Sequence, residues 1–199
     1  MIDAGFEPVP MPDAEVYYLP RLPLGHAADE VMRRLAKEVP WRAEEIVMFG
    51  IKMRQPRLTA WYGDPGCVYA YSGVRLEPLP WSATLRDVKA RIEAAAAERF
   101  NSVLINYYRD ERDSVGLHSD AEPELGPQPI IASLSLGAER VFVMRHKRER
   151  HLPTVRLRLA SGSLLLMKGD TQHNWRHGVP KQSRPCGPRI NLTFRHIFS

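Results

Sequence analysis

The sequence predicts an α+β fold that is mainly β: a sandwich or jelly roll with N-terminal helices packed on one outer face. Three observations predict it. Two stretches before residue 100 carry apolar residues at helical spacing. From Ser102 onward the period falls to two, in short β-branched and aromatic segments broken by Gly, Pro and charged clusters. The 199 residues, 44% hydrophobic and 26% charged, suffice for one full core, so a single domain over 1–199 is expected.

The elements follow in order. Pro8, Pro10, Pro12, Pro20 and Pro23 fix φ and remove backbone donors, so residues 1–25 read as an extended, irregular entry. Asp29 is a candidate N-cap for a first helix through Val31, Leu35 and Val39, ended by Pro40. Thr84 and Asp87 resemble a capping box, with Asp in place of Glu or Gln; Leu85, Val88, Ile92 and Ala95 then carry a second helix to about Arg99. Strands are expected at Ser102–Arg109, Ile130–Leu136, Arg140–His146, Val155–Leu159, Ser163–Lys168 and Arg189–Phe198. Shorter extended pieces are expected at Ile46–Lys52 and Cys67–Ser72, and Leu125–Pro129 reads as a loop.

Composition excludes several classes. Two cysteines, Cys67 and Cys186, are too few for a disulfide framework and form no CxxC pair, which favours a reducing, intracellular compartment. No apolar run reaches the ~18 residues of a membrane span, and the acidic start, with Asp3, Glu7, Asp13 and Glu15, is unlike a signal peptide. Net charge is +5, and the excess lies in the second half: 13 Lys+Arg face 14 Asp+Glu in residues 1–100, against 15 and 9 in residues 101–199. The run Arg145, His146, Lys147, Arg148, Glu149, Arg150, His151 would attract a polyanion; a solvated hairpin tip is the plainer reading.

Strand alternation puts Arg189, Asn191, Thr193 and Arg195 on one face and Ile190, Leu192 and Phe194 on the other. Two arginines with hydrogen-bonding residues between them suit a small dianion, because the guanidinium fork grips carboxylates bidentately. Leu104, Asn106 and Tyr108 share a face in the same way, and Asn106 and Tyr108 could add hydrogen bonds to that anion. His118 and Asp120, two apart on extended chain, point to one side and could share a metal. A third ligand is then needed, and spacing does not choose between His173 and His177. Two His and one carboxylate with open positions are the facial arrangement of non-haem Fe(II) oxygenases.

In this order the elements resemble the AlkB family of Fe(II)- and 2-oxoglutarate-dependent dioxygenases. The resemblance runs from about Met48 to Ile197. It is tightest at Asn106-Tyr107-Tyr108, His118-Ser119-Asp120, Trp175-Arg176-His177 and Pro188-Arg189-Ile190-Asn191-Leu192-Thr193-Phe194-Arg195, which holds the full RxNxTxR pattern. The match implies a double-stranded β-helix core over 102–199, with His118, Asp120 and His177 as iron ligands and His173 outside the set. It implies that Arg189, assisted by Asn106 and Tyr108, holds the far carboxylate of 2-oxoglutarate, that Arg195 lies near the metal-bound end, and that Asn191 and Thr193 complete the wall.

Upstream, Tyr62 to Gly73 resembles the family's nucleotide lid, which implies a nucleotide-recognition lid over 41–75. Tyr69 and Tyr71 would put two rings on one side of it, and aromatic faces stack any base. Met48-Phe49-Gly50 resembles the finger that fills the gap left by a flipped base, with Phe49 as the apolar wedge. Arg57, Lys52, Arg54 and the Arg145–Arg150 run could contact phosphates. Glu122 matches an acid placed near the amino edge of a damaged base, where it would favour a base made cationic by alkylation. Ala121 stands where some duplex-repair relatives have a further acid, which leaves the lesion preference open. His26, His146, His151, His196 and both cysteines read as ordinary surface or strand residues.

The resemblance thus implies an enzyme that uses Fe(II), 2-oxoglutarate and O2 to dealkylate bases oxidatively in single- or double-stranded DNA. The lesions would be 1-methyladenine, 3-methylcytosine and etheno adducts, with formaldehyde, succinate and CO2 released. The expected setting is a monomer off the membrane, cytoplasmic in a bacterium or nuclear in a eukaryote. The alternatives are the same chemistry on RNA or protein, or a metal-free jelly roll that binds nucleic acid without catalysis.

Overall fold

A computed structural model describes residues 5–43, 45–48, 51–67, 69–71 and 74–198. In chain order the elements are β1 (Glu7–Pro8), β2 (Glu15–Leu19), α1 (Ala28–Glu38), β3 (Glu45–Met48), β4 (Ile51–Arg54), β5 (Leu58–Gly63), β6 (Tyr69–Tyr71), β7 (Val74–Leu76) and α2 (Ala83–Ala96). Then come β8 (Ser102–Tyr108), β9 (Val115–His118), a 3-10 turn at Pro123–Leu125, β10 (Ile131–Gly137), β11 (Arg140–His146), β12 (Val155–Leu159), β13 (Leu164–Lys168), α3 (Thr171–Asn174), β14 (Trp175–Val179) and β15 (Arg189–Arg195). A major sheet has the order β1-β2-β13-β10-β15-β8-β5 and a minor sheet the order β12-β11-β14-β9. Two hairpins, β3-β4 and β6-β7, stand apart.

Period-two alternation divides the major sheet's side chains between two cores. Val103, Ile105, Leu134, Leu136, Leu164, Leu166, Ile190, Leu192 and Phe194 face one way and pack with Val31 and Leu35 of α1 and Leu85, Val88 and Ile92 of α2. Each such side chain taken out of water contributes about 1.5–3 kcal/mol. The opposite face meets the minor sheet, where Tyr108, Ile131, Leu165 and Met167 pack on Phe142, Met144, Trp175 and Val179. The polar residues of β8, β10 and β15 share that inner face, so whatever chemistry they perform lies between the sheets. This is the predicted jelly roll, with both helices on one outer face.

Several expectations change. The 1–25 entry contains β1 and β2, and β2 joins the major sheet beside β13 in the register Val16↔Met167. Its prolines flank the strand, so Glu15–Leu19 keeps every backbone donor. Ala27, not Asp29, caps α1, without a side-chain bond; Asp29 sits in the first turn, where a carboxylate favours the helix dipole. Ser82, not Thr84, caps α2 by accepting from Leu85 N, while Thr84 Oγ1 donates to Glu38. That helix ends at Ala96, not Arg99, because Ala97 turns left-handed at φ 54°. β5, inside the 41–75 segment, is an edge strand of the major sheet paired with β8. No described helix is long and apolar enough to cross a membrane.

Candidate metal and anion site

His118 ends β9, and His177 lies directly opposite it in β14. The register shifts between His177 and Val179, at Gly178, where an added Cβ would lie 2.8 Å from the Val115 carbonyl oxygen and 2.9 Å from that of Gly116. Without that side chain the two histidine-bearing strands approach closely. Asp120 follows in the loop after β9. Its Oδ1 is 3.8 Å from His118 Nε2 and its Oδ2 is 3.8 Å from His177 Nε2. One ligand atom from each of the three residues falls within 4.8 Å of the others.

The protonation states suit a cation. His118 Nδ1 lies 2.9 Å from the Gly116 carbonyl; as the donor there, it leaves Nε2 a free lone pair. Burial, reinforced by the neighbouring His118, pushes His177 down to about 3, so it is neutral. Burial alone would raise Asp120, but Arg195 and the two histidines outweigh it and hold the carboxyl at about 2. Arg195 Nη2 donates to Asp120 Oδ1 at 2.9 Å, while the buried Oδ2 makes no hydrogen bond. Phe142 stacks on the His177 ring with centroids 5.3 Å apart. A charged carboxylate oxygen between two imidazoles is a donor set that fits Fe(II).

The inner face of β15 continues the site. Arg189 is 1% exposed; its Nη2 donates to Ser135 Oγ at 2.9 Å, and its Nε and Nη1 are buried with no hydrogen-bond partner among the described residues. Its guanidinium lies 5.1 Å from the centroid of the Tyr108 ring. Asn191 Nδ2 donates to Ser133 Oγ at 2.8 Å, and Thr193 Oγ1 to Asn191 Oδ1 at 3.0 Å. Asn106 Oδ1 accepts from Arg57 Nε at 2.7 Å. These side chains and the His-Asp-His cluster line one cleft of about 490 Å³, counting its open mouth. A small dicarboxylate fits such a wall: unpaired guanidinium N–H groups are costly to bury and recover that cost on an anion.

The remaining expected residues are dispersed. Glu122 is half-buried at the start of the 3-10 turn, and its carbonyl accepts from Leu125 N. Tyr69 and Tyr71 lie in β6, paired with Leu76 and Val74. Phe49 lies outside the described residues. His173 is exposed, bonds the Pro127 carbonyl and stands outside the metal cluster. The basic run spans the end of β11 and the turn to β12, with Arg145 opposite Arg176 across the minor sheet. His146 is a strand residue, the buried last residue of β11; its Nδ1 accepts from Glu149 N at 2.8 Å and so shapes that turn.

Sequence reasoning missed Ser133 and Ser135, although the alternation Ser133-Leu134-Ser135-Leu136 carries the same signal that exposed β15. It also missed Gln172, for which no local signal exists.

Comparison with known proteins adds ancestry to this geometry. The family model described as the 2OG-Fe(II) oxygenase superfamily matches residues 15–195. The chain is 45% identical to the mouse (Mus musculus) alpha-ketoglutarate-dependent dioxygenase alkB homolog 3, over 86% of this chain and 62% of that protein. It is 42% identical to the human (Homo sapiens) DNA oxidative demethylase ALKBH2, over 86% of this chain and 69% of that protein. It therefore spans about three fifths of the length of the mouse relative. The solved structure titled "The structure of OsALKBH1" superimposes with a TM-score of 0.59 at 19% identity, covering 94% of this chain and 100% of that one, and so shares the fold. A facing His-Asp-His cluster, an arginine-bearing final strand beside it and this kinship lead to one conclusion: the chain belongs to the 2OG-Fe(II) oxygenase superfamily, in its AlkB family.

Proposed function

We propose that this chain is a DNA repair dioxygenase that oxidatively demethylates N-alkylated bases such as 1-methyladenine and 3-methylcytosine, and accepts etheno adducts. The observation that carries the reading is one cleft holding both the His118-Asp120-His177 cluster and the buried, incompletely paired Arg189. The names of the mouse and human relatives support the activity and the DNA substrate.

His118, Asp120 and His177 would hold Fe(II). Bound there with O2 and 2-oxoglutarate, it supplies oxidation of an N-alkyl carbon coupled to decarboxylation of the oxoacid to succinate and CO2, with formaldehyde lost from the product. Arg189 binds the far carboxylate through its free N–H groups, with Tyr108 beneath it and Asn106 oriented by Arg57. Asn191 and Thr193 hold the wall rigid through their mutual hydrogen bond. Arg195 keeps Asp120 ionised and in place. Phe142, Val115 and Val179 line the cleft and exclude water from it.

On the substrate side, the β3-β4 and β6-β7 hairpins of the 41–75 segment act as the lid, Tyr69 and Tyr71 stack the extruded base, Phe49 fills its gap and Glu122 faces its amino edge. The Arg145–Arg150 turn meets phosphates without reading sequence. The protein works as a monomer inside the cell, in keeping with its two free cysteines.

Incubation with Fe(II), ascorbate, 2-oxoglutarate and an oligonucleotide bearing one 1-methyladenine, single-stranded and duplex, tests the reading by mass spectrometry of the base. Reversion that vanishes in His118→Ala supports it. Succinate formed without reversion would move the substrate to RNA or protein. No succinate would overturn the oxygenase assignment.

A further inference from the structure

α3 is a single turn, yet it gathers four distant segments. Asp170, at its cap, accepts from Gln128 Nε2 at 3.1 Å, Thr171 Oγ1 accepts from Glu15 N at 2.9 Å, and Asn174 Nδ2 donates to the Asp13 carbonyl at 3.1 Å. Between them Gln172 is 0% exposed, and its Oε1 accepts the backbone N–H of Asp120 at 3.0 Å. Its Nε2 reaches Met167 Sδ at 3.5 Å, and Lys147 Nζ donates to its carbonyl at 2.7 Å.

A primary amide is costly to bury, so a fully buried glutamine is retained where its hydrogen bonds matter. Here the stronger bond goes to the one residue that offers a carboxylate to the cation. Asp120 lies past the end of β9 and before the 3-10 turn, where no sheet ladder or helix holds its backbone. Arg195 grips the carboxylate end of the residue and Gln172 the backbone end.

We propose that Gln172 is a positioning residue of the metal centre: it fixes the Asp120 backbone and so aims the carboxylate between the two imidazoles. The inference rests on the reading that His118, Asp120 and His177 hold Fe(II). Partners that orient a metal ligand in this way change affinity by about 10–100-fold when removed.

The test is a titration of the metal-free protein with Co(II), which takes the same donors and reports their geometry in its visible absorption. Gln172→Met, similar in shape but without the acceptor, is expected to weaken Co(II) binding by about tenfold and alter the absorption band. A purely structural role would lower the melting temperature of the metal-free Gln172→Met protein and leave its Co(II) affinity unchanged; that result overturns the inference. If Gln172→Met does not fold, Gln172→Leu replaces it under the same criteria. Failure of the wild-type protein to bind Co(II) would overturn the metal reading itself, and is distinguishable because it precedes any variant.

Discussion

His118 and His177 face each other as direct register partners across the β9–β14 ladder, their ring centroids 4.5 Å apart. The two histidines of the candidate metal site are thus placed by the same hydrogen bonds that build the minor sheet. Only Asp120, in a loop, needs separate anchors.

The close approach of β9 and β14 depends on Gly178. A methyl group there would meet two backbone carbonyls, which have no rotamer to yield. Gly178→Ala is expected to cost about 1–3 kcal/mol in urea unfolding and to weaken metal binding in the same protein. Unchanged stability and unchanged metal affinity together would refute this.

Arg195 neutralises a carboxylate that is only 4% exposed. Arg195→Met leaves that charge buried without its guanidinium, and a loss of about 3–5 kcal/mol is expected in unfolding of the metal-free protein. A loss below 1 kcal/mol would show that the histidines suffice.

Arg189 is buried in the cleft between the sheets, away from any surface that a base or phosphate would reach first. Arg189→Met is expected to raise the KM for 2-oxoglutarate by about 10–100-fold, the worth of one to two charge-assisted hydrogen bonds. Oligonucleotide affinity, measured by fluorescence anisotropy, should stay within a factor of two. Equal effects on both would sink the assignment.

Asp113 supplies a pH dependence. Burial raises its pKa, but the side-chain and backbone hydrogen bonds from Arg109 outweigh that and leave the carboxyl below its usual value. The folded state therefore binds fewer protons than the unfolded chain, and the stabilisation is present above about pH 4 and lost as pH falls through the folded value. The melting-temperature gap between wild type and Asp113→Asn should be full at pH 7 and narrow below about pH 4. A gap that is constant with pH would mean that the pair contributes nothing ionic.

What the sequence disclosed depended on the length and purity of each pattern. β8, β11, β12 and β15 are five to seven residues of clean alternation and appear almost where expected. β9 (VGLH) and β14 (WRHGV) are four and five residues long and contain glycine, which lowers strand propensity, so neither stands out in the sequence as a strand. Yet those two strands carry the histidines. The choice between His173 and His177 turns on register, a tertiary property that spacing along the chain does not encode; only resemblance to a family resolved it in advance. Ser82 and Thr84 are equally good caps on paper, and both donate to Glu38 of α1; the difference is that Ser82 has the extended backbone of a cap and its Oγ accepts from Leu85 N. Gln172 was illegible because its partner lies 52 residues away.

β9 is an edge strand: among the described residues it pairs within the minor sheet with β14 alone, and the His118 side chain is 42% exposed. Edges open locally at far lower free energy than the whole fold. An ion held between His118 and the more deeply set His177 and Asp120 therefore has an exit that bypasses global unfolding, through four residues peeling from one neighbour. Its residence time is a property of that short ladder, so exchange with a chelator should track amide hydrogen exchange in Val115–His118 and be indifferent to how firmly the helices grip the opposite sheet.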